Sequence, residues 1–299
     1  MIELFETPID SFFINNREIF VKRDDLLHPE FSGNKARKLA YFLQNDFSHV
    51  KTLISYGGVQ SNLMYSLSAL AKLKNWEFIY YSNRVSKQAK SAKEGNLAES
   101  IKNGMQLIEI NEKNLHDYVK LKYVGVSELI IEQGAAQSEA KLGVVKLANE
   151  LDDWIRKNNI QNPIIFLPSG TGVTAFYLQC ALEKYNVYTT NCVGSSKYLR
   201  DQWNSLDEVS KLPKILENNS YTFAKPHLEL WKTYNYIKEQ SNIEFDLIYD
   251  PIGWKILLQN LTTLDGTIIY VHCGGLLGNH TMHERYMFCL PKVETTLGK

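Results

Sequence analysis

The sequence predicts an α/β fold built from open, mostly parallel twisted sheets with helices on both faces. Two observations carry that prediction. Short apolar runs rich in Ile, Val, Tyr and Phe alternate with stretches of helical, 3.6-residue periodicity along the whole chain. Three of those runs also end in small, flexible residues that open a helix: Tyr56 into GGVQSN, Leu167 into PSGTGVTA and Cys273 into GGLLGN. Ligands of open α/β sheets sit at the carboxyl ends of strands, so three such turns suggest one shared pocket. Each turn taken alone also suits a mere tight connection.

Taken in order, the elements support this reading. Phe20–Leu26 (FVKRDDL) reads as a strand crowded with opposite charges, which implies an ion-pair network. Further strands are predicted at Lys51–Tyr56, Glu77–Ser82, Leu107–Ile110, Glu128–Glu132, Pro163–Leu167, Asn186–Val193 and Thr267–Cys273. Between them, Leu39, Phe42 and Leu43 share one helical face, as do Leu63, Leu67 and Leu70. From Glu139 to Arg156 the stripe is Leu142, Val145, Ala148, Leu151 and Ile155. Leu228, Trp231, Tyr234 and Ile237 form another, read as a core helix. In Ile248–Trp254 (IYDPIGW), Tyr249 and Asp250 are expected to end a strand, with a helix starting near Gly253.

Composition removes several function classes. The 299 residues carry 33 Lys+Arg and 33 Asp+Glu, for a formal net charge of zero. That balance gives no electrostatic reason to expect nucleic acid or an acidic membrane as partner. No apolar run approaches the roughly 18–20 residues that span a bilayer. The first ten residues lack the basic-then-apolar pattern of a secretory signal. Cys180, Cys192, Cys273 and Cys289 are widely spaced with no C-x-x-C pair, which fits a reducing cytoplasm.

Four segments can carry chemistry. In Pro168–Ala175, two glycines and three hydroxyls follow a strand and precede a helix, and backbone N–H groups there favour an anion. Phosphate binding is the functional reading, and a capped turn is the plain one. Neither a Walker A lysine nor a G-x-G-x-x-G with its downstream acid is present, which disfavours nucleotides. In Phe31–Leu39, Lys35 opens an amphipathic helix beside Arg37 and Lys38. Neighbouring cations give its amine a reason to lose a proton, as a Schiff-base lysine must. A solvated helix lysine is the alternative. In Gly57–Asn62, Gln60, Ser61 and Asn62 supply hydrogen bonds to a ligand, or Asn62 caps a helix. Tyr249 and Asp250 form an acid/base and charge pair, or a core tyrosine before a capping acid. His272 reads as a satisfied core histidine and Cys273 as a buried thiol. His280-x-x-His283 lacks a third ligand for a metal.

The order FVKRDDL, SGNKARKL, GGVQSN, EGNLAESIKNGMQLIEI, SGTGVTA, DLIYDPIGWKILL and VHCGG resembles the 1-aminocyclopropane-1-carboxylate (ACC) deaminase and D-cysteine desulfhydrase family. The resemblance runs over nearly the whole chain and is most specific over Val21–Leu39 and Gly57–Asn62. It implies a fold-type II architecture like that of tryptophan synthase β. A smaller lobe, residues 48–147, is inserted into a larger one made of 1–47 and 148–299, with pyridoxal 5'-phosphate in the cleft. It implies a lyase, hydrolase or deaminase acting on a small amino acid and releasing ammonia and a 2-oxo acid. A racemase would share the cofactor machinery. A homodimer is implied too; the cytoplasm, and no nucleic-acid, membrane or metal partner, are expected from the composition and spacing above.

By the same resemblance, Lys35 carries the cofactor and Lys38 is a second basic position beside it. Gly170, Thr171, Gly172, Val173 and Thr174 match the phosphate cradle. Ser61 and Asn62 match residues that meet the substrate carboxylate and the cofactor's 3-oxygen, with Gln60 beside them on the substrate side. Tyr249 matches a catalytic tyrosine, and Asp250 falls where a residue faces the pyridine nitrogen. Lys22, Arg23, Lys35, Arg37 and Lys38 would then gather around an anionic cofactor. Departures fall in the substrate-reading shell. Leu63 stands where Gln or His is usual, and Phe223 falls where a second active-site tyrosine is expected, with Tyr221 two residues away. These two residues also leave open a cofactor-binding protein without turnover.

Overall fold

A computed structural model describes residue 4 and residues 6–31, 33–207 and 209–290. Among these residues, ten strands form two sheets. The chain enters through β1 (Ile9–Ile14) and β2 (Arg17–Lys22), an antiparallel hairpin. Its turn is Asn15-Asn16, both at positive φ, the left-handed pair that a two-residue hairpin loop requires. Residues 24–26 then form a 3-10 turn, so the expected strand over Phe20–Leu26 ends at Lys22. Helix α1 (Asn34–Gln44) follows.

The four-stranded sheet comes next, with β3 (Thr52–Tyr56), α2 (Asn62–Lys74), β4 (Glu77–Ser82), α3 (Lys87–Ser91), α4 (Asn96–Lys102), β5 (Met105–Glu109), α5 (Leu115–Lys122) and β6 (Glu128–Ile130). Its order is β5-β4-β3-β6, all parallel. Helix α6 (Lys141–Lys157) leads back to the larger sheet through β7 (Pro163–Ser169), α7 (Val173–Ala181), β8 (Asn186–Asn191), α8 (Ser196–Asn204) and β9 (Lys214–Ile215). Helices α9 (Leu228–Ser241) and α10 (Asp250–Asn260), strand β10 (Thr267–Val271) and α11 (Asn279–Cys289) complete the described chain. The six-stranded order is β1-β2-β10-β7-β8-β9, parallel except for the first pair. The fold-type II-like arrangement expected from the sequence is therefore the one observed.

Three apolar clusters fix the layers. Leu39, Phe42 and Leu43 of α1 pack with Leu53 of β3 and Leu67 of α2. Phe166, Tyr270, Trp254 and Phe245 fill one side of the larger sheet, with the rings of Trp254 and Tyr270 stacked 4.0 Å apart. Leu147, Leu151, Phe176 and Trp203 fill the other. Helix α6 belongs to that last cluster, so the expected boundary at 147/148 falls inside a helix.

One element differs in kind from its expectation. Residues 245–249 form no strand, and Asp250 itself begins α10 with Pro251 in the first turn. A proline in the first helical turn gives up an N–H that has no helical partner, so it starts this helix instead of breaking a strand.

The charged run in β2 and the following turn does form a network. Arg37 on α1 is fully buried and donates to both oxygens of Asp24, at 2.9 Å each, and to Glu150 at 2.6 and 2.7 Å. Lys22 pairs with Glu150 at 2.8 Å, and Arg23 bonds Asp25 and Asp10. This corrects one expectation. Lys22, Arg23 and Arg37 are neutralised by these carboxylates and do not gather around a ligand; of the five cations, only Lys35 and Lys38 line the cavity described next.

Candidate active site

The carboxyl ends of β3, β7 and β10 converge on a cavity of about 200 Å³ between the two sheets. Its lining brings together Lys35, Lys38, Gln60, Ser61, Gly170, Thr171, Gly172, Val173, Thr174 and Tyr249. It opens toward a groove of about 630 Å³ that shares Gly58, Gln60 and Gln133 with it.

Lys35 is placed by its neighbours in the chain. Gly33 caps α1 at φ +62°, and a side chain there would overlap the backbone carbonyl of Cys273. Only glycine allows this approach without strain. The N–H of Gly33 donates to the carbonyl of Asp24 at 2.8 Å, and that of Asn34 to the carbonyl of Cys273 at 3.3 Å. The start of α1 is thus pinned between the β2 turn and the end of β10. Burial lowers the pKa of the Lys35 amine, and Cys273, Asp246 and Asp250 oppose that shift. The amine lies over the Tyr249 ring, 5.5 Å from its centroid. Lys38, one turn on, donates to the carbonyl of Gly134. Burial, then repulsion from Lys35, lowers its pKa to about 7.

Opposite lies the loop from Gly170 to Thr174. Gly172 turns the chain at φ +76°, and its carbonyl accepts from Trp203 Nε1 at 3.0 Å. Helix α7 begins at Val173, so its first N–H groups and positive dipole end meet at this loop. The buried Thr174 hydroxyl has no hydrogen-bond partner among the described residues. An unpaired buried hydroxyl is costly unless a ligand satisfies it. The donor set here therefore fits a phosphate group, and the facing Lys35 fits an aldehyde-bearing one.

Ser61, not Asn62, is the N-cap of α2, accepting from the N–H of Met64 at 3.4 Å. Gln60 is held by Thr281, whose hydroxyl donates to its side-chain oxygen at 3.1 Å. Asn62 and Asp250 do not line the cavity. Asn62 Nδ2 donates to Asp246 Oδ2 at 3.1 Å, and its oxygen accepts from Asn96 at 2.7 Å. Asp250 accepts from the Tyr270 hydroxyl at 2.5 Å and from the backbone N–H of Asp246 at 3.0 Å. Burial, opposed by His272 and reinforced by Asp246, raises the Asp250 pKa to about 7. The sequence expects both residues to face the cofactor; the structure puts them in the wall behind the lining.

Leu63 and Phe223 do line the cavity. Phe223 packs on Tyr249 with centroids 5.0 Å apart. The Tyr221 hydroxyl donates to Glu229 and is absent from the lining, so it does not replace the missing hydroxyl at Phe223. His272 is a satisfied core histidine: Nε2 meets the carbonyl of Glu244 at 2.8 Å and Nδ1 accepts from the N–H of Gly274 at 3.0 Å. Cys273 is buried and also lines the cavity. His280 pairs with Glu94, and His283 meets the edge of Trp231.

Sequence reasoning missed Asn34, Gln133, Tyr198 and Asp246. The first three line the cavity, and the buried Asn34 side-chain oxygen has no partner among the described residues. Asn34 sits between Gly33 and Lys35, so its place at the helix start was a readable signal. Asp246 had one too, since an acid two or three residues before exposed N–H groups makes an Asx turn.

The fold and the cleft define an α/β protein of the fold-type II class. No family model matches the chain. Among curated proteins it is similar to a D-cysteine desulfhydrase from Serratia proteamaculans, at 25% identity over 87% of each chain. It is also similar to a putative ACC deaminase from Pyrococcus horikoshii, at 27% identity over 96% of this chain and 94% of the relative. Among solved structures, an ACC deaminase homologue superposes with a TM-score of 0.79 at 21% identity, covering 97% and 96% of the two chains. A fungal L-serine ammonia-lyase from Rhizomucor miehei gives 0.64 at 14% identity, covering 95% and 99%. The resemblance read from the motifs thus holds across most of the chain. The relatives are called desulfhydrases and deaminases, which corrects the hydrolase part of the expectation.

Proposed function

We propose that this chain is a pyridoxal-phosphate-dependent lyase or deaminase acting on a small amino acid, in the manner of D-cysteine desulfhydrase or ACC deaminase. The observation that carries the reading is one cavity with two matched ends. A buried amine of lowered pKa, Lys35, lies at one end, and a glycine–threonine loop with an unpaired Thr174 hydroxyl lies at the other.

Lys35 would hold the cofactor, the N–H groups of Gly170–Thr174 with the Thr174 hydroxyl would hold its phosphate, and Lys38 would add positive charge. Bound pyridoxal phosphate supplies an electron sink that stabilises negative charge at the substrate α-carbon. A neutral Lys35 amine, favoured by burial, is suited to take the α-proton of a substrate that carries one, as D-cysteine does and ACC does not. Ser61 offers a hydroxyl to the substrate carboxylate at the start of α2, with Gln60 beside it. The Tyr249 hydroxyl, whose pKa burial raises, stays protonated and can donate to a leaving group. For a substrate like D-cysteine, loss of the α-proton would be followed by cleavage of the β-carbon–sulfur bond, the electron pair leaving with sulfur and a proton coming from Tyr249. For ACC a ring bond at the α-carbon would open instead, and in both cases water would enter afterwards to release ammonia and the 2-oxo acid. Leu63 and Phe223 make part of the substrate side apolar, which favours a substrate without a polar group there.

A second reading, a cofactor-binding protein without turnover, rests on those same two apolar residues. A screen of D- and L-amino acids for released ammonia, 2-oxo acid or sulfide separates the two. Release from any of them supports the lyase. A cofactor band that no amino acid perturbs supports the second reading, and racemisation without release makes the chain a racemase.

The division into lobes at 1–47 plus 148–299 and 48–147 belongs to this proposal, as do a homodimer and a cytoplasmic setting. The free state of all four cysteines is in keeping with that setting. No described helix is long and apolar enough to cross a membrane.

A further inference from the structure

Asp246 is buried, lies outside the cavity lining and spends its carboxylate on both sides of the cleft. Oδ1 accepts from the backbone N–H of Ile248 at 2.9 Å and of Tyr249 at 2.5 Å, an Asx turn that sets where Tyr249 leaves the chain. Oδ2 accepts from Asn62 Nδ2 at 3.1 Å. Asn62 follows Ser61 at the start of α2, on the side of the four-stranded sheet. Asn62 in turn accepts from Asn96 Nδ2 at 2.7 Å, and Asn96 also donates to the carbonyl of Gln60 at 3.1 Å. A chain of three side chains therefore runs from the Tyr249 turn to the Gln60–Ser61 turn. Gly275 lies against it so closely that a side chain there would overlap Asn62.

We propose that Asp246 is a positioning residue that ties Tyr249 to the Ser61–Asn62 turn across the cleft and so sets the spacing of the groups facing the substrate. The consequence for turnover rests on the function proposed above; the tie itself does not.

The hydrogen-bond polarity gives a specific test. In D246N the amide oxygen can still serve the two backbone N–H groups, but its NH₂ then faces the NH₂ of Asn62. Rotating the Asn62 amide only moves the clash to Asn96, which also presents NH₂. N62D alone sets two carboxylates against each other. The swap N62D/D246N restores one acceptor for two donors. The carboxylate introduced at position 62 would accept from both the amide introduced at position 246 and Asn96.

The measurements are the thermal unfolding midpoint of the cofactor-free protein and the kcat and KM of the loaded enzyme. We expect both single variants to lower the midpoint and the swap to recover most of the loss. We expect D246N to lower kcat roughly tenfold to 100-fold with a smaller change in KM, since a misplaced group costs rate more than binding. The swap should regain kcat as well. Additive unfolding losses in the swap would overturn the tie. A D246N enzyme with unchanged kcat, or a swap that regains the midpoint but not kcat, would overturn the positioning role. Should the parent turn over no amino acid, the proposed function fails, and the unfolding cycle still decides the tie.

Discussion

The amine of Lys35 sits over the ring of Tyr249, 5.5 Å from its centroid, although the two residues lie in opposite halves of the chain. One comes from the start of α1 and the other from the residue before α10. An amine and a phenol are thereby held on the same small volume of the cleft. If Tyr249 donates a proton during turnover, Y249F should lower kcat by about 10²–10⁴-fold while the protein still folds and still takes up cofactor. Steady-state kinetics beside a cofactor titration test this. An unchanged kcat would remove Tyr249 from the chemistry.

Gly33 is the hinge on which the Lys35 position turns. G33A would force a side chain into the Cys273 carbonyl at a positive φ. We expect a loss of stability above ~1 kcal/mol together with weaker cofactor uptake. Denaturant unfolding and a cofactor titration measure the two effects. Loss of stability with undisturbed uptake would mean that α1 can shift without moving Lys35.

Arg37 tests the ion-pair network under α1. It is fully buried with Asp24 and Glu150 as partners, and they hold its pKa above the ordinary value against the effect of burial. R37M leaves the buried Asp24 carboxylate without a cation, while Glu150 keeps Lys22, and should cost about 3–5 kcal/mol of stability. Chemical denaturation checks the figure, and a loss below ~1 kcal/mol would show that the carboxylates find other partners.

Lys38 gives the site a pH dependence of definite sign. Its folded pKa is about 7, below the ordinary 10.5. Between those values the unfolded chain holds more protons than the folded one, so this residue makes stability rise with pH from about 7 to 10.5. An anion in the cavity favours the charged amine. Phosphate binding at pH 8 should therefore take up a proton, and affinity should fall as pH rises above 7. Calorimetry in buffers of different ionisation enthalpy measures the uptake, and K38M should reduce it, with Lys35 able to supply any remainder.

The lining of the candidate site is more legible in the sequence than its walls. Lys35, Ser61, the 170–174 loop and Tyr249 were readable because each lies at a strand or helix end whose local pattern is distinctive. Asn62 and Asp250 sit beside readable residues, but their side chains turn to Asp246 and Tyr270, distant partners that no local pattern names. Lys22, Arg23 and Arg37 looked like a basic patch until the fold brought Glu150 to them, 113 positions from Arg37. Strand β1 was missed because its signal is the Asn15-Asn16 turn, not a strong apolar alternation. Apolar Leu247 and Ile248 make Asp250 look like the end of a strand, although Pro251 marks a helix start.

Whether Lys35 bonds pyridoxal phosphate in this cleft is read most directly from the visible absorption spectrum. The purified protein, titrated with pyridoxal phosphate, should gain a saturable visible band that borohydride reduction fixes to Lys35, and K35A should show no such band. A protein that gains no band, or a K35A variant that gains the same band, would mean that Lys35 does not hold the cofactor.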